Sequence, residues 1–330
     1  MKYTNRKHAA CVALALFLAS GCGSGKVELE RPYDMYTMET AGVAGNTGGT
    51  DSGAQNTFFS NGLCVTDDAW IGTEATTSQV ASGAGVFNLA TKEVTYAKNI
   101  FAKLYPASTT KILTAYMALK YCDDLDATVT VSEHAADQAA DSSVCGLNAG
   151  DTVSIRTLLY GLMLRSGNDA AIVLAEQISG SEEAFAELMN QEALALGASQ
   201  SHFVNPNGLP DENHYTSVYD LYLMFQAAIA DERFVELISA KSYEASYTDA
   251  QGAAVTKTWE NTNQYFVGYA TAPEGVTVIG GKTGTTKAAG LCLVLYAKNA
   301  KGEPVISIVM KADGKSDLYL LMNEMLKDFS

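Results

Sequence analysis

The middle of this 330-residue chain is helical in period while both flanks are β in period, and that order restricts how it can close. Residues 80–89 and 93–98 read as two strands joined by a turn at Ala90-Thr91-Lys92. Ile112, Leu113, Tyr116 and Leu119 then recur at helical spacing, and 154–165, 169–178 and 181–196 continue the helical stretch. Ser217 with Asp220 has capping-box spacing ahead of another helix. The period returns to β over 241–248, 253–259, 276–282, 290–297 and 304–311, and Ser316 opens a final helix with Leu318, Leu321, Met322 and Met325 inward. Strand edges need partners, so the two flanks are expected to complete one antiparallel sheet around a helical insertion. The expectation is one α/β unit with two lobes, and no internal repeat is present.

The first residues belong to a different physical regime. Lys2, Arg6 and Lys7 precede an apolar run from Ala9 to Ala19, too short for a hydrocarbon core that needs about 20 residues. A positive start and a short apolar stretch make a secretory signal. Leu18-Ala19-Ser20-Gly21-Cys22 resembles a bacterial lipobox, which implies cleavage after residue 21 and a lipid on Cys22. The alternative is an ordinary signal peptide and a freely secreted protein. Residues 22–60 carry no hydrophobic period and are rich in Gly, Thr, Ser, Asn and Ala, as expected of a flexible tether. Globular composition begins near residue 61, so 61–330 is read as the working domain.

Composition then excludes several roles. Cleavage before Cys22 would remove three cations and no acid, moving the net charge from −15 to −18. Nucleic-acid recognition rests on clustered Lys and Arg, and so acidic a chain is a poor match for it. Cys64, Cys122, Cys145 and Cys292 would remain in the mature domain; they form no C-x-x-C pair, and three full pairings are open. His134, His202 and His214 are scattered, which reads as surface or structural histidine and not as a metal site.

Three short motifs carry the chemistry. Ser108 and Lys111, in Pro106-Ala107-Ser108-Thr109-Thr110-Lys111, are three apart, so a helix starting at Ser108 would point both into one cleft. A neutral lysine can activate a serine hydroxyl; a pKa depression of about three units makes a usable fraction neutral at pH 7 and costs about 4 kcal/mol. Ser166-Gly167-Asn168 offers a proton relay and an amide, with Asn168 as a plain helix cap the competing reading. Gly281-Lys282-Thr283-Gly284 places a cation and hydroxyls beside a strand that can receive a carboxylate. A phosphate-binding P-loop would need Gly at the position of Val276 and a helix afterwards, and this sequence has neither.

Taken in chain order, S-x-x-K, S-x-N and K-T-G form the set known from penicillin-binding proteins and serine β-lactamases. With YAKN at 96–99, YPASTTK at 105–111 and FVNPNGLPDENHYTSVYDL at 203–221, the chain resembles the serine D-alanyl-D-alanine carboxypeptidases over roughly residues 64–330. The resemblance implies a DD-peptidase/serine β-lactamase-like fold: an antiparallel sheet flanked by helices, a helical lobe, and the active site between them. It implies Ser108 as nucleophile, Lys111 as general base, and Ser166 as relay to the leaving D-alanine. Asn168 would hold the substrate amide, Lys282 and Thr283 the terminal carboxylate, and Gly284 would let the substrate approach. The N–H groups of Ser108 and Thr285 would form the oxyanion hole. The implied partners are a peptidoglycan stem peptide ending in D-Ala-D-Ala, β-lactam antibiotics, and a membrane through the lipid on Cys22. No metal or organic cofactor is implied.

Two departures stand out. Asn207 occupies a position where the family commonly has histidine, in a segment read as loop-shaping and not chemical. Only 46 residues follow Gly284, enough for the sheet and one helix, which leaves anchoring to the lipid. The rival functions are a serine β-lactamase, for which no convincing E-x-x-x-N loop is found, a β-lactam sensor, which needs a spanning helix, and a lipid-anchored solute-binding protein.

Overall fold

The computed structural model describes residues 62–67, 69, 71–72 and 80–327. The proposed signal, Cys22 and the tether lie outside the described residues. The main sheet has five antiparallel strands: β1 (Ala81–Asn88), β2 (Glu93–Lys98), β7 (Thr277–Thr286), β8 (Gly290–Lys298) and β9 (Pro304–Ala312), in the order β2-β1-β9-β8-β7. The flanks of the chain therefore do complete one sheet, with β1 paired directly to β9. The other two expected strands, β5 (Ser242–Thr248) and β6 (Ala254–Glu260), form a hairpin in a second sheet, ordered β3-β4-β5-β6. Its remaining members, β3 (Thr128–Thr130) and β4 (Thr152–Ser154), are three residues each, too short for an alternation to declare itself.

Alternation along β8 sorts side chains to two layers. Cys292 and Val294 face the helical lobe, whereas Leu293 and Leu295 pack under the closing helix. That helix, α9 (Lys315–Lys327), buries Leu318, Leu321, Met322 and Met325 against Val86, Leu293 and Val309, the inward face expected from the sequence.

On the opposite face, α1 (Lys111–Tyr121) runs through the middle of the lobe. Ile112, Leu113 and Leu119 are buried as expected, but so are Thr114, Ala115, Met117 and Ala118, so the helix is surrounded and not one-faced. Around it stand α2 (Glu133–Ala136), α3 (Ile155–Tyr160), α4 (Asn168–Ser179), α5 (Glu182–Ala195), α6 (Val218–Ile229) and α7 (Glu232–Ser239), with the short α8 (Gln264–Val267) after the hairpin. Ser217 caps α6 by accepting from the Asp220 N–H, while the Asp220 carboxylate turns instead to Gln200 N and the Ser201 hydroxyl. Ahead of β1, the Gly62 carbonyl accepts from Gln226 Nε2, and Cys64 donates its N–H to the Tyr222 hydroxyl and accepts at its carbonyl from Tyr219. Cys64, Cys122, Cys145 and Cys292 are all free thiols.

Candidate active site

Ser108 lies on a single 3₁₀ turn, Ala107–Thr110, and α1 begins only at Lys111. The helix start expected at Ser108 is thus displaced by three residues. Ala107 sits at φ 48, a left-handed conformation unusual for a residue with a Cβ. The turn is locked by Thr109, whose N–H and hydroxyl both donate to the Pro106 carbonyl, at 3.2 and 2.7 Å. Two glycines admit it between its neighbours. A Cβ on Gly284 would lie 3.0 Å from the Pro106 oxygen and 3.1 Å from the N atoms of Ser108 and Thr109. A Cβ on Gly208, at φ +88, would lie 1.9 Å from the Ala107 oxygen. The nucleophile turn is consequently gripped between β7 and the 205–209 loop.

Lys111 is fully buried. Its Nζ donates to Asn168 Oδ1 at 2.8 Å and to the Asn207 carbonyl at 2.7 Å, and lies 3.2 Å from Ser108 Oγ. Burial, reinforced by the nearby Lys282 charge, holds its pKa well below that of an ordinary lysine. A neutral amine has two N–H groups and one lone pair. Asn168 and Asn207 take the N–H groups, and the lone pair is left for the Ser108 hydroxyl.

Ser166 and Asn168 come from the break between α3 and α4. The chain continues α3 as a π-helical turn, Gly161–Arg165, and then reverses at Ser166, whose left-handed backbone (φ 59, ψ 35) turns it into the cleft. Gly167 is the residue that caps α4, so Asn168 is not its cap; its side chain is spent on Lys111. Asp169 secures the opposite wall: its carboxylate accepts the N–H groups of Cys145, Gly146 and Leu147, and the Asn168 N–H donates to the Ser143 carbonyl. Lys282, also buried, donates to Ser166 Oγ at 3.0 Å and to the Thr283 carbonyl at 2.9 Å. Desolvation lowers its pKa to about 7.

The cleft on one flank of Ser108 is lined by Ser143, Ser166, Thr262, Thr283, Gly284 and Thr285, and a second cavity on the other flank by Ser143, Asn168, Asn207 and Thr285. The eight expected domain residues, Ser108, Lys111, Ser166, Asn168, Lys282, Thr283, Gly284 and Thr285, therefore converge on one place, whereas Cys22 lies outside the described residues. Three further residues contribute. Asn207 reads from the sequence as loop-shaping alone, yet its carbonyl is a partner of Lys111. Thr262 shares a 2.7 Å hydrogen bond between hydroxyls with Thr283, and Ser143 lines both cavities. A backbone acceptor leaves no trace in residue identity, and isolated Ser or Thr residues are too common to single out.

Of the histidines, His214 is buried and structural: its Nδ1 accepts from the Val204 N–H at 3.2 Å, and its Nε2 lies 2.9 Å from Thr110 Oγ1. His134 instead meets Glu182 at an exposed position.

Comparison with known proteins identifies the family and the fold. The D-alanyl-D-alanine carboxypeptidase family, Peptidase_S11, matches residues 72–314. The chain is 34% identical over 255 residues to D-alanyl-D-alanine carboxypeptidase DacF of Bacillus subtilis, covering 76% of this chain and 62% of that protein. It is 33% identical over 257 residues to a D-alanyl-D-alanine carboxypeptidase of Streptomyces sp. K15, covering 74% and 86%. The chain thus spans less than two thirds of the Bacillus relative's own length but most of the Streptomyces relative's. Among solved structures, the Streptomyces K15 DD-transpeptidase superposes with a TM-score of 0.68 at 32% identity, covering 75% of this chain and 97% of that one. The carboxypeptidase DacD of Francisella tularensis gives 0.66 at 26% identity, covering 79% and 72%. The fold is that of the DD-peptidases, and the chain belongs to the D-alanyl-D-alanine carboxypeptidase family S11.

Proposed function

We propose that this protein is a serine D-Ala-D-Ala carboxypeptidase that removes the terminal D-alanine from peptidoglycan stem peptides through an acyl-enzyme on Ser108. The observation that carries the reading is the buried Lys111 amine, whose Nζ is held by Asn168 Oδ1 and the Asn207 carbonyl and lies 3.2 Å from Ser108 Oγ. Lys111 takes the hydroxyl proton as Ser108 Oγ attacks the penultimate D-Ala carbonyl. The Ser108 and Thr285 N–H groups stabilise the oxyanion. Collapse breaks the peptide bond and transfers the acyl group to Ser108 as an ester. The leaving D-alanine nitrogen receives a proton through Ser166, which Lys282 faces at 3.0 Å. Lys282 and Thr283 receive the terminal carboxylate, Asn168 Nδ2 holds the substrate amide, and Gly284 leaves room for the substrate backbone. Water then hydrolyses the ester, with no metal or organic cofactor called upon. A β-lactam acylates Ser108 by opening its ring amide, so its leaving group stays attached.

The same reading puts the enzyme outside the cytoplasm, held to the cell membrane by a lipid on Cys22. Among the described residues no helix is long and apolar enough to cross a membrane. Fractionation of Cys22→Ala tests the anchor: release from the membrane fraction supports it, and unchanged retention refutes it. The activity is tested with a pentapeptide ending in D-Ala-D-Ala: D-alanine release is expected from the wild type and not from Ser108→Ala. Rapid catalytic turnover of a chromogenic cephalosporin, at hundreds of cycles per site, would instead make the protein a β-lactamase.

A further inference from the structure

The loop that carries Ser166 and Asn168 is backed by a buried carboxylate. Gly167 stands between those two residues, and the space a side chain there would fill is already taken. A Cβ on Gly167 would lie 2.7 Å from Asp169 Oδ1 and 2.4 Å from Cys145 Sγ. A Cβ on Gly161, at the start of the π-helical turn, would meet the same sulfur at 2.4 Å. Asp169 and Cys145 therefore form the bed on which the S-x-N loop rests.

Asp169 is 1% exposed and lies in the first turn of α4. Its Oδ1 accepts the N–H groups of Cys145 at 2.9 Å and Ala170 at 2.8 Å, and its Oδ2 those of Gly146 at 2.9 Å and Leu147 at 3.1 Å. Backbone N–H groups and the positive end of a helix hold an anion in place without neutralising it. Asp169 takes part in no ion pair among the described residues, and the cavity it borders within residues 136–148 has no other ionisable side chain in its lining. Its charge is left to act across the loop on Lys111, whose Nζ lies 2.8 Å from Oδ1 of the adjacent Asn168.

Lys111 is a neutral amine before Ser108 attacks and an ammonium afterwards, and a buried ammonium needs compensation. The other groups around it supply little. Asn168 Oδ1 and the Asn207 carbonyl are neutral dipoles, and Lys282 on β7 opposes a second cation. Burial keeps the Cys145 thiol protonated, and His214, behind Thr110, is uncharged above about pH 4. We propose that the Asp169 carboxylate is the fixed counter-charge for the Lys111 ammonium that forms as Ser108 Oγ bonds to the acyl carbon. In that step the proton leaves Ser108 Oγ for Lys111 Nζ, and it leaves Nζ again as the departing nitrogen is protonated through Ser166. Asp169 keeps its charge throughout and exchanges no proton. It is a positioning residue that acts through Lys111, and without it Lys111 is a weaker base. This inference rests on the carboxypeptidase reading, in which Lys111 is the base.

The test is the rate of Ser108 acylation by a labelled penicillin, followed in the full chain from pH 5 to 9. Labelling of the wild type at Ser108, with D-alanine release from a D-Ala-D-Ala peptide, checks the carboxypeptidase reading by itself. Asp169→Asn removes the charge at constant size. It should slow acylation roughly three- to tenfold at pH 8. That deficit should shrink as pH falls, because the weaker base stays neutral to lower pH. The alkaline limb should stay in place, since burial alone shifts Lys282. Asp169→Glu keeps the charge but not the four hydrogen bonds, and it should hold the acid limb at its wild-type position even where the rate is lower. Thermal melts at each pH identify the range over which each variant is folded. A deficit of one size at every pH, or an acid limb displaced equally by Asn and Glu, would make Asp169 part of the framework alone and overturn the proposal. Failure of both variants to fold would do the same, and each of these outcomes leaves wild-type acylation and D-alanine release intact.

Discussion

The Lys111 amine donates to Asn168 Oδ1 at 2.8 Å, so the S-x-N motif is wired directly to the lysine of S-x-x-K. A neutral amide at 168 supports an uncharged lysine; a carboxylate there would favour the ammonium and remove the lone pair. Asn168→Asp should accordingly slow acylation of Ser108 by a labelled penicillin by about 10²–10³-fold at pH 7. Raising the pH should recover part of the loss, because the variant's Lys111 deprotonates later. A loss of equal size at every pH would instead assign Asn168 to substrate contact alone.

The two buried lysines set opposite limbs of a pH profile. Lys111 must be neutral, so kcat/KM rises with pH through its depressed pKa. Lys282 must be charged to attract a carboxylate, so kcat/KM falls as pH rises through about 7. A bell is expected for D-Ala-D-Ala peptides, with its alkaline limb missing for a thioester substrate that has no terminal carboxylate. An unchanged alkaline limb for the two substrates, in kinetics from pH 5 to 9, would contradict the role of Lys282.

Gly284 and Gly208 grip the nucleophile turn with different tolerances. At 3.0–3.1 Å from backbone atoms, an added methyl at 284 requires a shift of a few tenths of an ångström. Gly284→Ala should keep the fold, with under about 1 kcal/mol lost, but slow penicillin acylation roughly 10–100-fold through misplacement of Ser108. Gly208→Ala combines a positive φ with a 1.9 Å overlap and should destabilise by about 2 kcal/mol or more in urea unfolding. Equal effects of the two changes on stability would argue against this picture of the turn.

The sequence made the site more legible than the strand partners. Ser108, Lys111, Ser166, Asn168, Lys282 and Thr283 could be named because side-chain chemistry fixes residue identity and short spacing fixes proximity. The flanking strands are legible as short apolar runs: Cys292, Leu293, Val294 and Leu295 are all apolar because both faces of β8 are buried. The 242–260 hairpin was visible as strands, but nothing in its alternation says which sheet it joins. Helix α7 follows α6 after only Ala230 and Asp231, too close for the period to mark a break. Asn207 shows the deepest limit, since its contribution to Lys111 is a carbonyl that every residue carries.

His214 makes an acid-sensitive contribution to stability. Burial lowers its pKa from 6.5 to about 4, so the unfolded chain binds a proton before the native one does. The stability is complete above pH 6.5 and is lost as pH falls toward 4, by about 3 kcal/mol over that interval. His214→Gln should lower stability at pH 7 but show a shallower decline on acidification, read from urea midpoints at several pH values. Parallel declines for the two proteins would mean that the native imidazole takes up its proton as readily as the unfolded one.

The acyl-enzyme on Ser108 is the centre of the account, and intact-protein mass spectrometry tests it directly. After incubation with a penicillin, the wild type should gain the mass of one antibiotic, and peptide mapping should place it on Ser108. The same preparation without antibiotic should release D-alanine from a peptide ending in D-Ala-D-Ala, and Ser108→Ala should do neither. An adduct on another residue, or D-alanine release by Ser108→Ala at the wild-type rate, would contradict the account.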